Sequence, residues 1–175
     1  MPIRWLHISD VHERSREGFH RVGMYDAIVQ NVIARQEKPH LVFFTGDLAF
    51  SGAREEYDLL EKRFLGPLRQ ALGADCPILT VPGNHDVERK RVINPRIWMI
   101  DPELQRIFQQ VDGDGQQKRA DMILPRFRNY RMAEQSLGAW DEDWLAAESG
   151  TASLLHEIEG RRLAIIWNEY GVALP

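Results

Sequence analysis

The stretch that decides the fold is PGNHDV at residues 82–87, directly after the apolar run ILTV at 78–81. A short apolar run rich in β-branched residues and ended by proline and glycine reads as a buried strand that stops sharply. The turn then presents Asn84, His85 and Asp86 side by side at the strand end. Such a trio fits a turn, a helix cap or a metal site. The choice depends on how the other strands end.

Two similar runs precede it, IRWLHIS at 3–9 and HLVFFT at 40–45, and a fourth, LAIIW, follows at 163–167. Their near-continuous hydrophobicity predicts strands covered on both faces, as in an α/β sheet. Between the first two, residues 18–37 place Val22, Tyr25, Ile28, Val29, Val32 and Ile33 at helical spacing. Residues 55–72 do the same with Tyr57, Leu60, Phe64, Leu65 and Leu68, with a break or kink at Gly66-Pro67. The order β-α-β-α-β favours parallel strands joined by right-handed crossovers. Further on, Pro102 and Pro125 punctuate two helices near 102–111 and 118–137, DGDG at 112–115 is a turn, and 152–168 reads as a β-hairpin turning at Gly160.

The chain has 175 residues, of which 43% are hydrophobic and 27% charged, values of a globular domain that buries a core without staples. No apolar run approaches the roughly 20 residues that cross a bilayer, and MPIRWLHISD lacks the sections of a signal peptide, so no membrane partner and a cytoplasmic location are expected. The single cysteine, Cys76, beside Pro77, reads as a small buried residue rather than a nucleophile. Net charge is −4, yet residues 88–131 hold ten Lys or Arg against six Asp or Glu, which marks a surface for anions or a set of solvated helices. Within that stretch RFRNYR at 126–131 interleaves cations and aromatics. It is either an amphipathic helix burying Phe127 and Tyr130 or a surface that holds nucleic acid, with Arg126, Arg128 and Arg131 as candidate substrate-binding residues. The Trp and Phe residues read as core, although Trp140 and Trp144 at helical spacing would also suit covering a neighbour. His7 is expected in the core, and His20 and His40 in surface or packing roles.

Ligand sites in open parallel sheets collect beyond the carboxyl ends of the strands, and the polar residues fall there. The first strand ends in Asp10-Val11-His12, the second in Gly46-Asp47 and the third in Gly83-Asn84-His85-Asp86. Oxygen and imidazole donors without thiolate suit Mn, Fe or Zn. A two-residue step on an extended segment would put Asp10 and His12 on one side, within reach of one cation. Gly46 and Gly83 remove a Cβ where the backbone must turn tightly. Asp47, with two oxygens, is able to bridge two metals, which would hold a hydroxide and both non-bridging oxygens of a phosphate. Asp86 is assigned mainly a structural role in the same loop. Capping of the helix after each strand is the competing explanation for each residue taken alone.

DVH, GD and GNHD, in this order and each after a strand, resemble the first three motif blocks of the calcineurin-like metallophosphoesterases. The resemblance implies an α/β/β/α sandwich with a mostly parallel sheet, here with residues 88–150 as a helical insertion or cap. It implies two divalent metal ions, and hydrolysis of phosphodiester or phosphomonoester bonds by a metal-bound hydroxide. On this likeness Asp10 and His12 bind the first metal, Asp47 bridges, Asn84 binds the second, and His85 stabilises the transition state or protonates the leaving oxygen. LHISDVH and GDLAFSG are similar to bacterial phosphodiesterase-like members, some of which form the first domain of larger proteins. Substrates in this reading range over cyclic nucleotides, nucleic acid and small phosphoesters.

Two departures bear on this reading. The later isolated His and the Gly-His-x-His block of the family are not found, since His156 is the only histidine after His85. Residues 1–175 are therefore expected to be the N-terminal portion of such a domain, with further domains beyond Pro175. The alternative is a catalytically incomplete module that binds metal or phosphate. In addition, GDLAFSG lacks the Asp that orients the catalytic His in phosphatase members.

Overall fold

In the computed structural model of the chain, residues 2–15, 19–88, 102–109, 124–136, 151–158 and 161–168 are described. The β-α-β-α-β order of the first half is the order found. Strand β1 is Trp5–Ile8, helix α1 Phe19–Ala34, β2 Leu41–Thr45, α2 Arg54–Leu60, α3 Gly66–Leu72 and β3 Ile78–Val81. The three strands lie in the order β1-β2-β3, all parallel, with Ile8 opposite Phe44 and Thr45 opposite Val81. This register levels the carboxyl ends, so that the three polar segments leave the sheet along one edge.

Helices α1 and α3 pack on each other, as right-handed crossovers between strands added in one direction require. The core lies between them and the sheet. Tyr25, Val29 and Val32 from α1 meet Val42 and Phe44 of β2, Ile78 of β3, and Phe64 and Leu68 of the second crossover. The Tyr25 and Phe64 rings stack with centroids 4.4 Å apart, and truncating either to alanine would cost about 3–5 kcal/mol.

The break expected at Gly66-Pro67 takes a specific form. Residues Glu61–Leu65 make a π-helical turn between α2 and α3, in which the Gly66 N–H reaches the Glu61 carbonyl five residues back. Pro67 has no N–H to give and its ring would crowd the carbonyl four residues earlier; the wider turn accommodates both without ending the helix. At the head of α2 the Glu56 carboxylate accepts the Ser51 and Ala53 N–H groups at 2.8 and 3.3 Å, which supplies the cap that Ala53 lacks.

Two expectations for β1 need correction. Trp5 is 61% exposed, and His7 is exposed rather than in the core, with its Nε2 2.6 Å from the Thr45 hydroxyl. The physical reason is position. Among the described residues β1 is an edge strand, and α1 covers only the face carrying Leu6 and Ile8. His40 does pack, with Nδ1 accepting the Arg4 N–H at 3.2 Å, and His20 is exposed. Cys76 is half-buried with its thiol directed at the Pro39 carbonyl, 3.5 Å away, and burial pushes that thiol up to about 11.

Beyond residue 88 the described elements are α4, Pro102–Gln109, a 3-10 turn at Leu124–Phe127 continuing into α5, Arg128–Ser136, and the strands β4, Thr151–Ile158, and β5, Arg161–Asn168. β4 and β5 pair antiparallel with Ile158 opposite Arg161, which leaves two residues for the connection that Gly160 marks. LAIIW thus pairs within this hairpin and not, among the described residues, with the parallel strands. RFRNYR resolves as an amphipathic segment. Phe127 and Tyr130 are buried, and the Thr80 hydroxyl lies 2.6 Å from the Tyr130 hydroxyl and 2.9 Å from the Glu134 carboxylate. These aromatics therefore offer no stacking face to a base, which corrects the nucleic-acid reading of the stretch. DGDG at 112–115, Trp140 and Trp144 lie outside the described residues.

Candidate metal centre

The ladder between β1 and β2 does not stop where the strands do. The Asp10 N–H reaches the Gly46 carbonyl at 3.3 Å, His12 N–H the Asp47 carbonyl at 2.8 Å, Glu13 N–H the Leu48 carbonyl at 3.0 Å, and Phe50 N–H the Glu13 carbonyl at 3.0 Å. The two loops are zipped together at backbone level. Asp10, His12 and Asp47 each adopt a left-handed conformation, with φ of 54°, 49° and 53°. Non-glycine residues rarely do so, at a cost of about 1–3 kcal/mol each, and such strain gathers where function imposes it. Asp10 and His12 are thus not on an extended segment as the sequence suggests; the coiled loop still brings Asp10 Oδ1 within 3.8 Å of His12 Nε2.

The third strand joins this loop pair through glycine. A Cβ on Gly83 would stand 2.0 Å from Asp47 Oδ1 and 2.5 Å from the Asp47 nitrogen, so only glycine lets the two backbones approach. Gly46, with φ of +86°, makes the matching turn on the other side. Asp86 closes the structure. Its carboxylate is wholly buried and accepts N–H groups of Leu48 at 3.2 Å, Ala49 at 2.9 Å and Gly83 at 2.9 Å, with the Tyr57 hydroxyl at 2.8 Å. Burial pushes the Asp86 carboxyl up, against the pull of these four hydrogen bonds. Burial likewise raises the Tyr57 phenol, with the Asp86 charge adding to it.

On this frame His12, Asp47 and His85 each bring a donor atom to within 4.8 Å of the others. Asp47 links both sides, with Oδ2 3.7 Å from His12 Nε2 and Oδ1 accepting the His85 N–H at 2.9 Å. The His12 and His85 rings meet edge to face at 4.6 Å. Asn84 stands exposed on the same turn, one residue before His85. His85 Nδ1 lies 2.7 Å from the Phe50 carbonyl oxygen. A carbonyl only accepts, so Nδ1 carries a proton and Nε2 is the ring nitrogen left for a partner in the site.

Asp10, His12 and Asp47 fit a divalent ion. Donors about 2.1 Å from one ion lie no more than about 4.2 Å apart, and the separations of 3.7 and 3.8 Å from His12 Nε2 to the two carboxylates satisfy that limit while being too long for hydrogen bonds. His12 Nδ1 is buried without a hydrogen-bond partner, a cost tolerated in a site that a ligand completes. Of the remaining candidates, Arg126 and Arg131 are half-buried and Arg128 exposed on the segment packed by Phe127 and Tyr130, and burial lowers the Arg126 guanidinium.

Sequence reasoning missed two members of this frame. Glu13 is fully buried, accepting the Tyr25 hydroxyl at 2.7 Å and Arg63 at 2.8 Å; a glutamate immediately after DVH was the available signal. The Phe50 carbonyl, which orients His85 where GDLAFSG offers no aspartate, is a backbone atom and leaves no trace in residue type.

The family model described as calcineurin-like phosphoesterase matches residues 3–151. The chain is 38% identical over 85 residues to the glycerophosphodiester phosphodiesterase GpdQ of Enterobacter lignolyticus strain SCF1, an overlap covering 46% of this chain and 28% of that protein. It is 30% identical over 86 residues to the probable glycerophosphodiester phosphodiesterase GpdQ of Arcobacter nitrofigilis, covering 46% of this chain and 29% of that protein. The matched stretch thus spans less than a third of either relative.

Proposed function

The chain belongs to the calcineurin-like phosphoesterase family, and from that premise we propose that it is a metal-dependent hydrolase of phosphodiesters, with glycerophosphodiesters the substrate class suggested by the names of its relatives. The observation that carries this reading is the convergence of His12, Asp47 and His85 at one end of the parallel strands. Asp10, His12, Asp47 and Asn84 would hold the divalent ions, with Asp47 the carboxylate available to both; the donor set suits Mn, Fe or Zn. Bound divalent ions supply Lewis acidity for the phosphoryl group and lower the pKa of a water.

The chain's own residues do the rest. Asp47, fixed by the His85 N–H on one oxygen and set against Gly83, keeps its second oxygen at a defined place. His85, held through Nδ1 by the Phe50 carbonyl, acts through Nε2 on the phosphoryl group or the leaving oxygen. Residues 88–150 are proposed as a helical insertion or cap, a reading supported by the Glu88 N–H donating to the Arg126 carbonyl at 2.9 Å and the Asn129 amide to the Gly52 carbonyl at 2.9 Å. No helix among the described residues is long and apolar enough to cross a membrane.

The test is hydrolysis of bis-p-nitrophenyl phosphate with Mn by the full chain, wild type against Asp47→Ala. The expected result is loss of turnover in the variant. Equal rates would sink the catalytic reading, and metal binding without turnover in the wild type would favour the incomplete module instead.

A further inference from the structure

The loop that carries His12 continues into Arg14, and its guanidinium carbon lies 3.5 Å above the centroid of the Phe50 ring. That ring is central to the site's wall. Its centroid is 5.2 Å from that of His85 and 6.2 Å from that of His12, and its own carbonyl orients His85. The guanidinium, the Phe50 ring and the two imidazoles thus form one contiguous cluster.

Arg14 is exposed, and among the described residues no carboxylate lies within ion-pair distance of it. The adjacent acid, Glu13, is turned inward and used by Tyr25 and Arg63. A guanidinium stacked on a ring spends its face on the aromatic and keeps the N–H donors around its edge for a second partner. Those donors, arranged as a fork, match two oxygens of a phosphate. The backbone beneath is not free to drift, because Glu13 N–H and Phe50 N–H tie the two loops together on both sides.

We propose that Arg14, seated on Phe50, is a substrate-binding residue that grips the phosphate group at the mouth of the metal centre, the role the sequence pattern suggests for Arg126, Arg128 and Arg131. The assignment rests on the phosphoesterase reading for its substrate class. It makes Arg14 a determinant of affinity for the phosphate rather than of the chemical step.

The experiment uses the full chain loaded with Mn, and compares wild type, Arg14→Gln, Arg14→Lys and, as a distant exposed cation, Arg35→Gln. Orthophosphate affinity is measured by calorimetry, and KM and kcat with bis-p-nitrophenyl phosphate, after metal analysis shows equal Mn in all four. Arg14→Gln is expected to weaken orthophosphate binding and raise KM, each on the order of tenfold, with kcat little changed. Arg14→Lys, keeping the charge without the fork, falls between, and Arg35→Gln matches wild type. Orthophosphate binding by Arg14→Gln within twofold of wild type would overturn the assignment and leave the phosphoesterase reading standing. Loss of orthophosphate binding in Arg14→Gln by a protein that never hydrolyses the diester would support Arg14 and overturn the hydrolase. A wild-type protein that holds Mn and neither binds orthophosphate nor hydrolyses the diester would overturn both.

Discussion

Asp86 accepts the backbone N–H of Ala49 at 2.9 Å, across 37 residues of chain. With its bonds to Leu48, Gly83 and Tyr57, this one carboxylate ties the loop after β2 to the loop after β3. Asp86→Ala leaves three buried N–H donors without an acceptor and the Tyr57 hydroxyl only the carbonyl of residue 86 at 3.3 Å, and the expected loss is about 3–5 kcal/mol. The urea midpoint should fall by about 2 M, and Mn affinity should drop with it although Asp86 touches no ion. A variant with unchanged stability would show that the two loops do not depend on this carboxylate.

Gly83→Ala and Gly23→Ala form a pair with opposite signs. An added methyl at Gly83 meets the Asp47 carboxylate and nitrogen, whereas nothing lies within 4 Å of a Cβ at Gly23 inside α1. The first change is expected to abolish Mn binding or folding. The second should raise stability by about 0.5–1 kcal/mol, because alanine loses less backbone freedom in a helix than glycine. Thermal melts of both variants, with and without Mn, give the comparison.

Metal binding should be visible as stability. Asp10, His12 and Asp47 hold strained backbone conformations and His12 Nδ1 is buried without a partner, so an ion that draws these groups together is linked to folding. Mn at about 100 times its dissociation constant contributes about 2.7 kcal/mol, a rise in Tm of about 5–10 °C for a domain of this size. EDTA should reverse the rise, and Asp47→Ala should remove it. The same rise in Asp47→Ala would place the ion elsewhere.

What was legible in the sequence was whatever shows as a pattern of residue types. Strand ends, helical spacing in α1 and the second crossover, and the ordered DVH, GD and GNHD blocks all do so, and the structure brings Asp10, His12, Asp47 and His85 to one edge. The exposure of Trp5 and His7 was not legible, because an apolar run looks the same in a central strand as at an edge whose outer face is open. The Phe50 carbonyl was not legible either, since every residue has one and only the fold decides which is near Nδ1 of His85. RFRNYR left two readings open for a related reason. Cations and aromatics in alternation describe a nucleic-acid surface and an amphipathic helix equally well until Phe127 and Tyr130 are seen to be buried.

Cys76 gives a pH dependence with a defined sign. Burial lifts its thiol from 9.0 to about 11, so the fold favours the protonated form. A group raised in the folded state contributes stability that is complete below its unfolded pKa and lost as pH rises through the folded value; here the loss falls between pH 9 and about 11. The same shift leaves about a hundredfold less thiolate than an ordinary cysteine at pH 8. Iodoacetamide should therefore label the native protein at pH 8 about a hundred times more slowly than the urea-unfolded chain. Cys76→Ser should flatten the alkaline part of the stability profile while leaving Mn binding intact, because the Pro39 carbonyl that the thiol faces lies at the start of β2, at the opposite end of the strands from His12 and Asp47. Native labelling as fast as in urea would show that the thiol is not held down by burial.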